Sequence, residues 1–391
     1  MEPSALARDR LLISRTLESM RAAALAIVAS LALGCTSEEV VVVVDPPAHR
    51  PLECTFEIDE AFAALRLPDG RPITQYWEMT STPRGVLYAP VQMRFGSDGD
   101  YARYVTGVAR FEGTWSVESV PGEWWQVWDV AASDDDAWMS GELGPFPSRP
   151  AIVRRNGGAW KPIDPPDGFG QVYRLFPSAQ GLFALGVEPA ESASMPLLAR
   201  HDGVRWTRIN VPSDWTDTYP TTVRVIGSTV VVGLVVGRPI STDAKRGLLA
   251  RVDGDRLIPI DTAIELPPIH AISGTGLDDL LLLAAPGFPD PRAVYWVDSI
   301  GGRAKLVHQD RESFADLWSP RPGVALVAPS YYHAGRLTVL DGQNGPHEVE
   351  LEKPGVLHYI EHFAPEGDGR TVHFLAHENG RRVQHRRGAC R

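Results

Sequence analysis

The sequence predicts an all-β fold built from repeated four-stranded units, and three observations predict it. A short hairpin motif recurs from residue 109 to residue 387. The segments between its copies read as further short strands joined by tight turns. The 391 residues also carry 36 Gly and 33 Pro, a load that long helices tolerate badly and turn-rich strands tolerate well.

The recurring hairpin is an apolar strand, a glycine turn and a second strand. Its copies include ARFEGTWSVESV (Ala109–Val120), VRRNGGAWKPID (Val153–Asp164), ARHDGVRWTRIN (Ala199–Asn210) and ARVDGDRLIPID (Ala250–Asp261). VDSIGGRAKLVH, TVLDGQNGPHEV and a shorter echo, AHENGRRVQHRR, follow. The anchoring glycines are Gly113, Gly157, Gly203, Gly254, Gly301, Gly342 and Gly380, spaced 38–51 residues apart. Asn-Gly and Asp-Gly supply the positive φ that two-residue hairpin turns demand. Trp115, Trp160 and Trp206 recur in the second strand, where a large ring can pack on a neighbouring unit.

A second hairpin lies between anchors. Val127–Ala132 and Ala137–Gly141 flank the turn Ser133–Asp136, and later units repeat the pattern. Each unit is therefore four short strands in about 45 residues, which resembles the blades of β-propellers such as the WD40 and kelch families. The resemblance is architectural and covers residues 54–390. It implies a ring of seven four-stranded blades, starting near residues 75, 125, 171, 221, 268, 313 and 357. Leu67–Gly70 would make an eighth anchor, so six to eight blades stay open. The last unit supplies only three strands, and the lone strand Glu53–Asp59 fills the missing outer place, closing the ring.

The N-terminus reads as a targeting segment. Ala22–Leu33 is a 12-residue apolar run behind Arg21, too short to span a bilayer and suited to a signal peptide. LALGC-TS resembles the lipobox of bacterial lipoproteins, which implies lipid attachment at Cys35. Residues 1–34 are then a signal peptide, with Met20 as the expected start of translation, and 35–52 a lipidated tether. The body, 53–391, is acidic, so the membrane is held through lipid and not through a basic patch. Four Lys against 34 Arg fit a bacterium with a GC-rich genome, and the expected location is the cell envelope of a Gram-negative-type bacterium.

Three cysteines are present. With Cys35 lipidated and the chain exported, Cys54 and Cys390 are expected to bridge. The bridge would close almost the whole body, a loop worth on the order of 4–5 kcal/mol in the chain-entropy model, less strain.

Composition bounds the function. A hydrophobic fraction of 43% and a charged fraction of 22% rule out a mostly disordered chain, and a net charge of −11 argues against nucleic acid as a partner. No nucleophile elbow, zincin helix, phosphate loop or EF-hand pattern occurs, and no cofactor or catalytic residue is expected. His358 and His362 share one strand face and His373 and His377 another, a weak metal candidate, and the reading preferred is of outer-face polar residues with no metal. The Ser133–Asp136 turn offers three carboxylates for calcium without the spacing a calcium loop uses.

The strongest candidate is a ligand face. In a propeller the connections between blades open on one face, and here they carry Trp124, Trp125, Phe169, Trp215, Tyr219, Tyr331 and Tyr332 among carboxylates. Exposed rings beside carboxylates suit a carbohydrate or an envelope protein. The expected function is thus a membrane-anchored binding or scaffold propeller. The alternative is a propeller enzyme acting on envelope glycans, marked by paired carboxylates across the central opening. A spacer without a binding pocket is a third reading.

Overall fold

A computed structural model describes residues 51–95, 103–144, 148–189, 195–215, 217–237, 246–285, 293–298, 300, 302–309, 314–329, 335–342, 345–351, 357–360, 362–378 and 383–391. The signal segment, Cys35 and the tether as far as residue 50 lie outside these residues, as do Tyr331 and Tyr332.

Seven antiparallel blades form a ring, a β-propeller. Blade 2 runs Trp124–Ala132, Ala137–Leu143, Arg149–Asn156 and Ala159–Ile163 from the inside outward. Blades 3 to 6 repeat this order from inner strands Gln171–Ser178, Thr218–Ile226, Ile269–Gly276 and Phe314–Arg321. Blade 1 starts with two short inner pieces, Gln75–Tyr76 and Thr80–Ser81, and blade 7 likewise with Leu357–Ile360 and Ala364–Pro365. The inner strands of blades 2 to 6 lie against one another in succession, so the first strand of each unit lines the central opening. Leu67–Gly70 is a turn closed by Gly70 N–H on Leu67 O, not an eighth blade. Among the described residues the one helix is the single turn Glu60–Ala63, capped by the Asp59 side chain.

Four of the hairpin glycines do the work the sequence assigns them and Gly342 does not, while Gly301 and Gly380 lie outside the described residues. Gly113, Gly157, Gly203 and Gly254 take positive φ between 61° and 100°. In blade 6 that role falls to Gly345 (φ 78°) and not Gly342, because Gly345 N–H closes the turn onto Asp341 O while Gly342 N–H bonds Gly323 O.

Apolar alternation explains the core. Each blade-to-blade interface buries one cluster, such as Phe183 and Leu198 of blade 3 against Val223, Val230 and Val232 of blade 4. Second strands are covered on both faces and therefore read as continuous apolar runs: Asp279–Ala284 is buried throughout. The recurring tryptophans reach the preceding unit. Trp160 Nε1 donates to Glu118 Oε2 at 2.8 Å, and Trp206 Nε1 to Asp164 O at 2.7 Å.

Cys54–Asp59 is the outer strand of blade 7, antiparallel to Val383–Cys390, with Cys54 opposite Cys390 and Asp59 opposite His385. Cys54 and Cys390 are disulfide-bonded across 336 residues. The lone N-terminal strand thus closes the ring as the repeat count requires.

Candidate functional site

Inner strands carry a repeated irregularity. In blades 2, 3 and 6 the register shifts between Val127 and Asp129, Val172 and Arg174, and Phe314 and Asp316. Blades 4 and 5 shift before Thr222 and Ala271. A bulge turns the strand and re-aims the next side chain. Asp129, Arg174 and Asp316 are each the first paired residue after a bulge, and all three join one cluster.

That cluster gathers five ionisable side chains from five blades. Arg174 of blade 3 reaches His362 of blade 7, Nη2 to Nε2 at 2.8 Å. These blades are three apart in a ring of seven, so the contact crosses the opening. Glu78, between the two inner pieces of blade 1, pairs with Arg174 Nη1 through one oxygen and lies 3.0 Å from His362 Nε2 with the other. Asp129 stands 3.6 Å from Arg174 Nη1. His362 Nδ1 faces Asp316 Oδ2 at 3.3 Å, and that oxygen also accepts the Phe363 N–H at 2.9 Å.

The two aspartates are set apart in protonation. Burial raises Asp129 to about 7, because the Leu175 N–H, the His362 charge and the Val130 N–H offset little of the lost hydration. Burial also pushes Asp316 up, but the charge and hydrogen bond of His362, the Phe363 N–H and the charge of Arg224 outweigh it, and the carboxyl lies below its ordinary value. The arrangement can bind charge, and it sets a carboxyl that titrates near neutrality in the same opening as an ionised one.

The predicted ligand-face residues divide. Trp124 is 1% exposed between blades 1 and 2, its Nε1 donating to Pro121 O. Phe169 is buried between blades 2 and 3. Trp125 is half-buried and meets Tyr104 edge to face. Trp215 and Tyr219 line two clefts. The first, about 670 Å³, is bounded by Trp215, Thr218, Arg246, Asp261 and Glu265, and the second, about 450 Å³, by Glu188, Arg208, Asn210, Thr218 and Tyr219. Thr218 belongs to both, so the clefts adjoin on either side of the connection from blade 3 to blade 4. Among the described residues the two non-glycine positions with positive φ, Asp217 (52°) and Ala263 (54°), sit at this place, where Ala263 lines the larger cleft. Backbone strain of this kind collects at ligand sites.

The histidines part company. His362 turns into the opening, whereas His373 is buried against His385 and Glu366. His377 is half-buried, and the His358 side chain lies outside the described residues. Among the described residues no group of three or more His, Cys, Asp or Glu is placed to hold a metal. In the Ser133–Asp136 turn, Asp136 takes Arg154 in a bidentate pair at 3.0 and 2.7 Å, and Asp134 accepts the Arg84 N–H.

No protein-family model matches the chain, and no characterised protein matches its sequence. Solved structures do match. The β-propeller domain of the trilobed protease of Pyrococcus furiosus, described as having an open velcro topology, superposes with a TM-score of 0.54 at 11% identity, over 79% of this chain and 93% of that one. Pyrococcus horikoshii acylaminoacyl peptidase gives 0.51 at 12% identity, over 82% and 51%, and the GH74 xyloglucanase of Xanthomonas campestris 0.52 at 14%, over 80% and 55%. The chain spans about half the length of the latter two. At such identities the likeness shows the fold.

Proposed function

We propose that the chain is a lipid-anchored binding propeller of the bacterial envelope that holds a saccharide on the face carrying the inter-blade connections. The observation that carries this reading is the pair of adjoining clefts around Thr218, which present Trp215 and Tyr219 among Asp261, Glu265 and Glu188. A planar ring beside carboxylate acceptors is what a sugar's apolar face and hydroxyl rim require. The disulfide supports an oxidising compartment, and the lipobox-like LALGC supports anchoring at Cys35. A glycan array read with wild type and the Trp215→Ala, Tyr219→Ala double variant tests the site. Signals that vanish in the variant support the reading, and signals unchanged by it would refute it. Palmitate labelling lost in Cys35→Ser tests the anchor.

A second reading, a glycan-cleaving enzyme, draws on one observation: Asp129 keeps its proton to about pH 7 while Asp316 is ionised in the same opening. An acid and a base held apart in this way are what glycosidic cleavage uses. Release of reducing ends that Asp129→Asn abolishes would favour it.

A further inference from the structure

The charges in the central opening do not pair off evenly. Asp316 is engaged by His362 and by the Phe363 N–H. Asp129 stands farther from Arg174, 3.6 Å from Nη1. Glu78 is therefore the main counter-charge of Arg174. Its carboxylate places one oxygen on the guanidinium and the other 3.0 Å from His362 Nε2, the nitrogen that also takes Arg174 Nη2 at 2.8 Å, so the guanidinium is the donor of this seat and the imidazole flanks it.

The two sides of this seat differ in how firmly they are built. Arg174 projects from the eight-residue strand Gln171–Ser178, and His362 is backed by Asp316, itself held by backbone. Glu78 lies between two strands of two residues each, Gln75–Tyr76 and Thr80–Ser81. All three side chains remain accessible from the opening, at 29% for Arg174, 36% for His362 and 21% for Glu78. Receptor and occupant thus come from different blades, and among the described contacts the Glu78 carboxyl is held by the receptor alone, whereas His362 has Asp316 behind it.

We propose that Arg174 and His362 form a receptor for a ligand carboxylate, and that Glu78 fills it in the free protein. Its ligand is a sugar chain bearing a uronic acid; the sugar part rests on the saccharide reading of the clefts, whereas the carboxylate part stands on the opening alone. Binding exchanges one carboxylate for another, so the internal Glu78 lowers apparent affinity by the fraction of time it occupies the seat.

The test is calorimetric titration of the disulfide-intact protein with trigalacturonate and with its methyl ester, which masks the carboxylates. Glu78→Gln keeps the shape and removes the competing charge, and it should bind trigalacturonate at least tenfold more tightly than wild type, a gain that a misfolded variant cannot mimic. Arg174→Met, checked for an unchanged melting profile, should lose binding, and the methyl ester should bind neither protein. Equal affinities of Glu78→Gln and wild type, or equal binding of acid and ester, would overturn the receptor. Trp215→Ala separates the two readings. A loss there with no gain in Glu78→Gln would leave the clefts and remove the receptor. A gain in Glu78→Gln with no loss in Trp215→Ala would leave the receptor and remove the clefts.

Discussion

His373 and His385 lie nearly parallel at the seam between blades 7 and 1, ring centroids 5.3 Å apart and Nδ1 to Nε2 at 3.1 Å, each less than 3% exposed. Glu366 bonds the outer end of His373, and Asp59, which also takes the Trp115 N–H, bonds His385. Burial drives both imidazoles down to about 4. For His373 the Arg387 charge adds to it against the opposing Asp368 and Asp59; for His385 the neighbouring His373 adds to it, and Asp59 opposes.

These histidines are neutral in the fold and titrate near 6.5 when unfolded, so their contribution is complete above pH 6.5 and is lost as pH falls toward 4. Each imidazole accounts for roughly 3 kcal/mol across that window. Thermal melts should drop between pH 6.5 and 4.5, and the drop should be visibly shallower in His385→Gln. An equal pH dependence in both proteins would remove the pair as its source.

Asp129 predicts the opposite sign. Its folded value, about 7, lies above the unfolded 3.8, so burial of the carboxylate weakens the fold as pH rises from 3.8 through 7. Asp129→Asn retains an acceptor for the Leu175 N–H. Its Tm should match wild type at pH 4 and exceed it by a few degrees at pH 8, as calorimetry would show.

Gly186 faces the bulge that aims Arg174. A Cβ there would stand 2.0 Å from Gln171 O and 2.5 Å from the Phe169 ring, both tighter than any packed contact. Gly186→Ala should cost about 1–3 kcal/mol by overpacking and weaken trigalacturonate binding even where the protein stays folded. A variant with wild-type stability would mean that the strand relaxes freely.

Phe62 is fully buried among Tyr76, Trp115 and His385. Phe62→Ala should cost about 3–5 kcal/mol. Hydrogen exchange should show the loss first in Cys54–Asp59, because the helical turn bearing Phe62 follows that strand directly.

Much of the fold is legible because turns are local. Gly113 or Gly254 announces its hairpin within four residues, and counting hairpins counts blades. The closing strand is legible because one unit lacks a strand and one strand lacks a unit. The central cluster is not legible, since Glu78, Asp129, Arg174, Asp316 and His362 share no spacing and meet only once the ring is closed. One signal was available: Asp129, Arg174, Thr222, Ala271 and Asp316 follow equivalent bulges about one repeat apart, and three of the five are charged. Burial of the aromatic connections was equally hidden. Trp124 and Trp125 are neighbours, yet one is sealed between blades and the other half-open, because adjacent residues on a strand point to opposite faces.

The position of the disulfide has a mechanical meaning. Cys54 and Cys390 are the first register pair of the outer strand, and beyond them Glu53 and Arg391 exchange two backbone hydrogen bonds. Tension entering the propeller from residue 52 would meet that end first, and without the bond it would peel the strand from blade 7 one pair at a time. With it, the load passes sideways into Cys390 and onward through the inner strands of the blade. A propeller hung from its N-terminus would thereby hang from two strands at once, at the seam where the ring is joined.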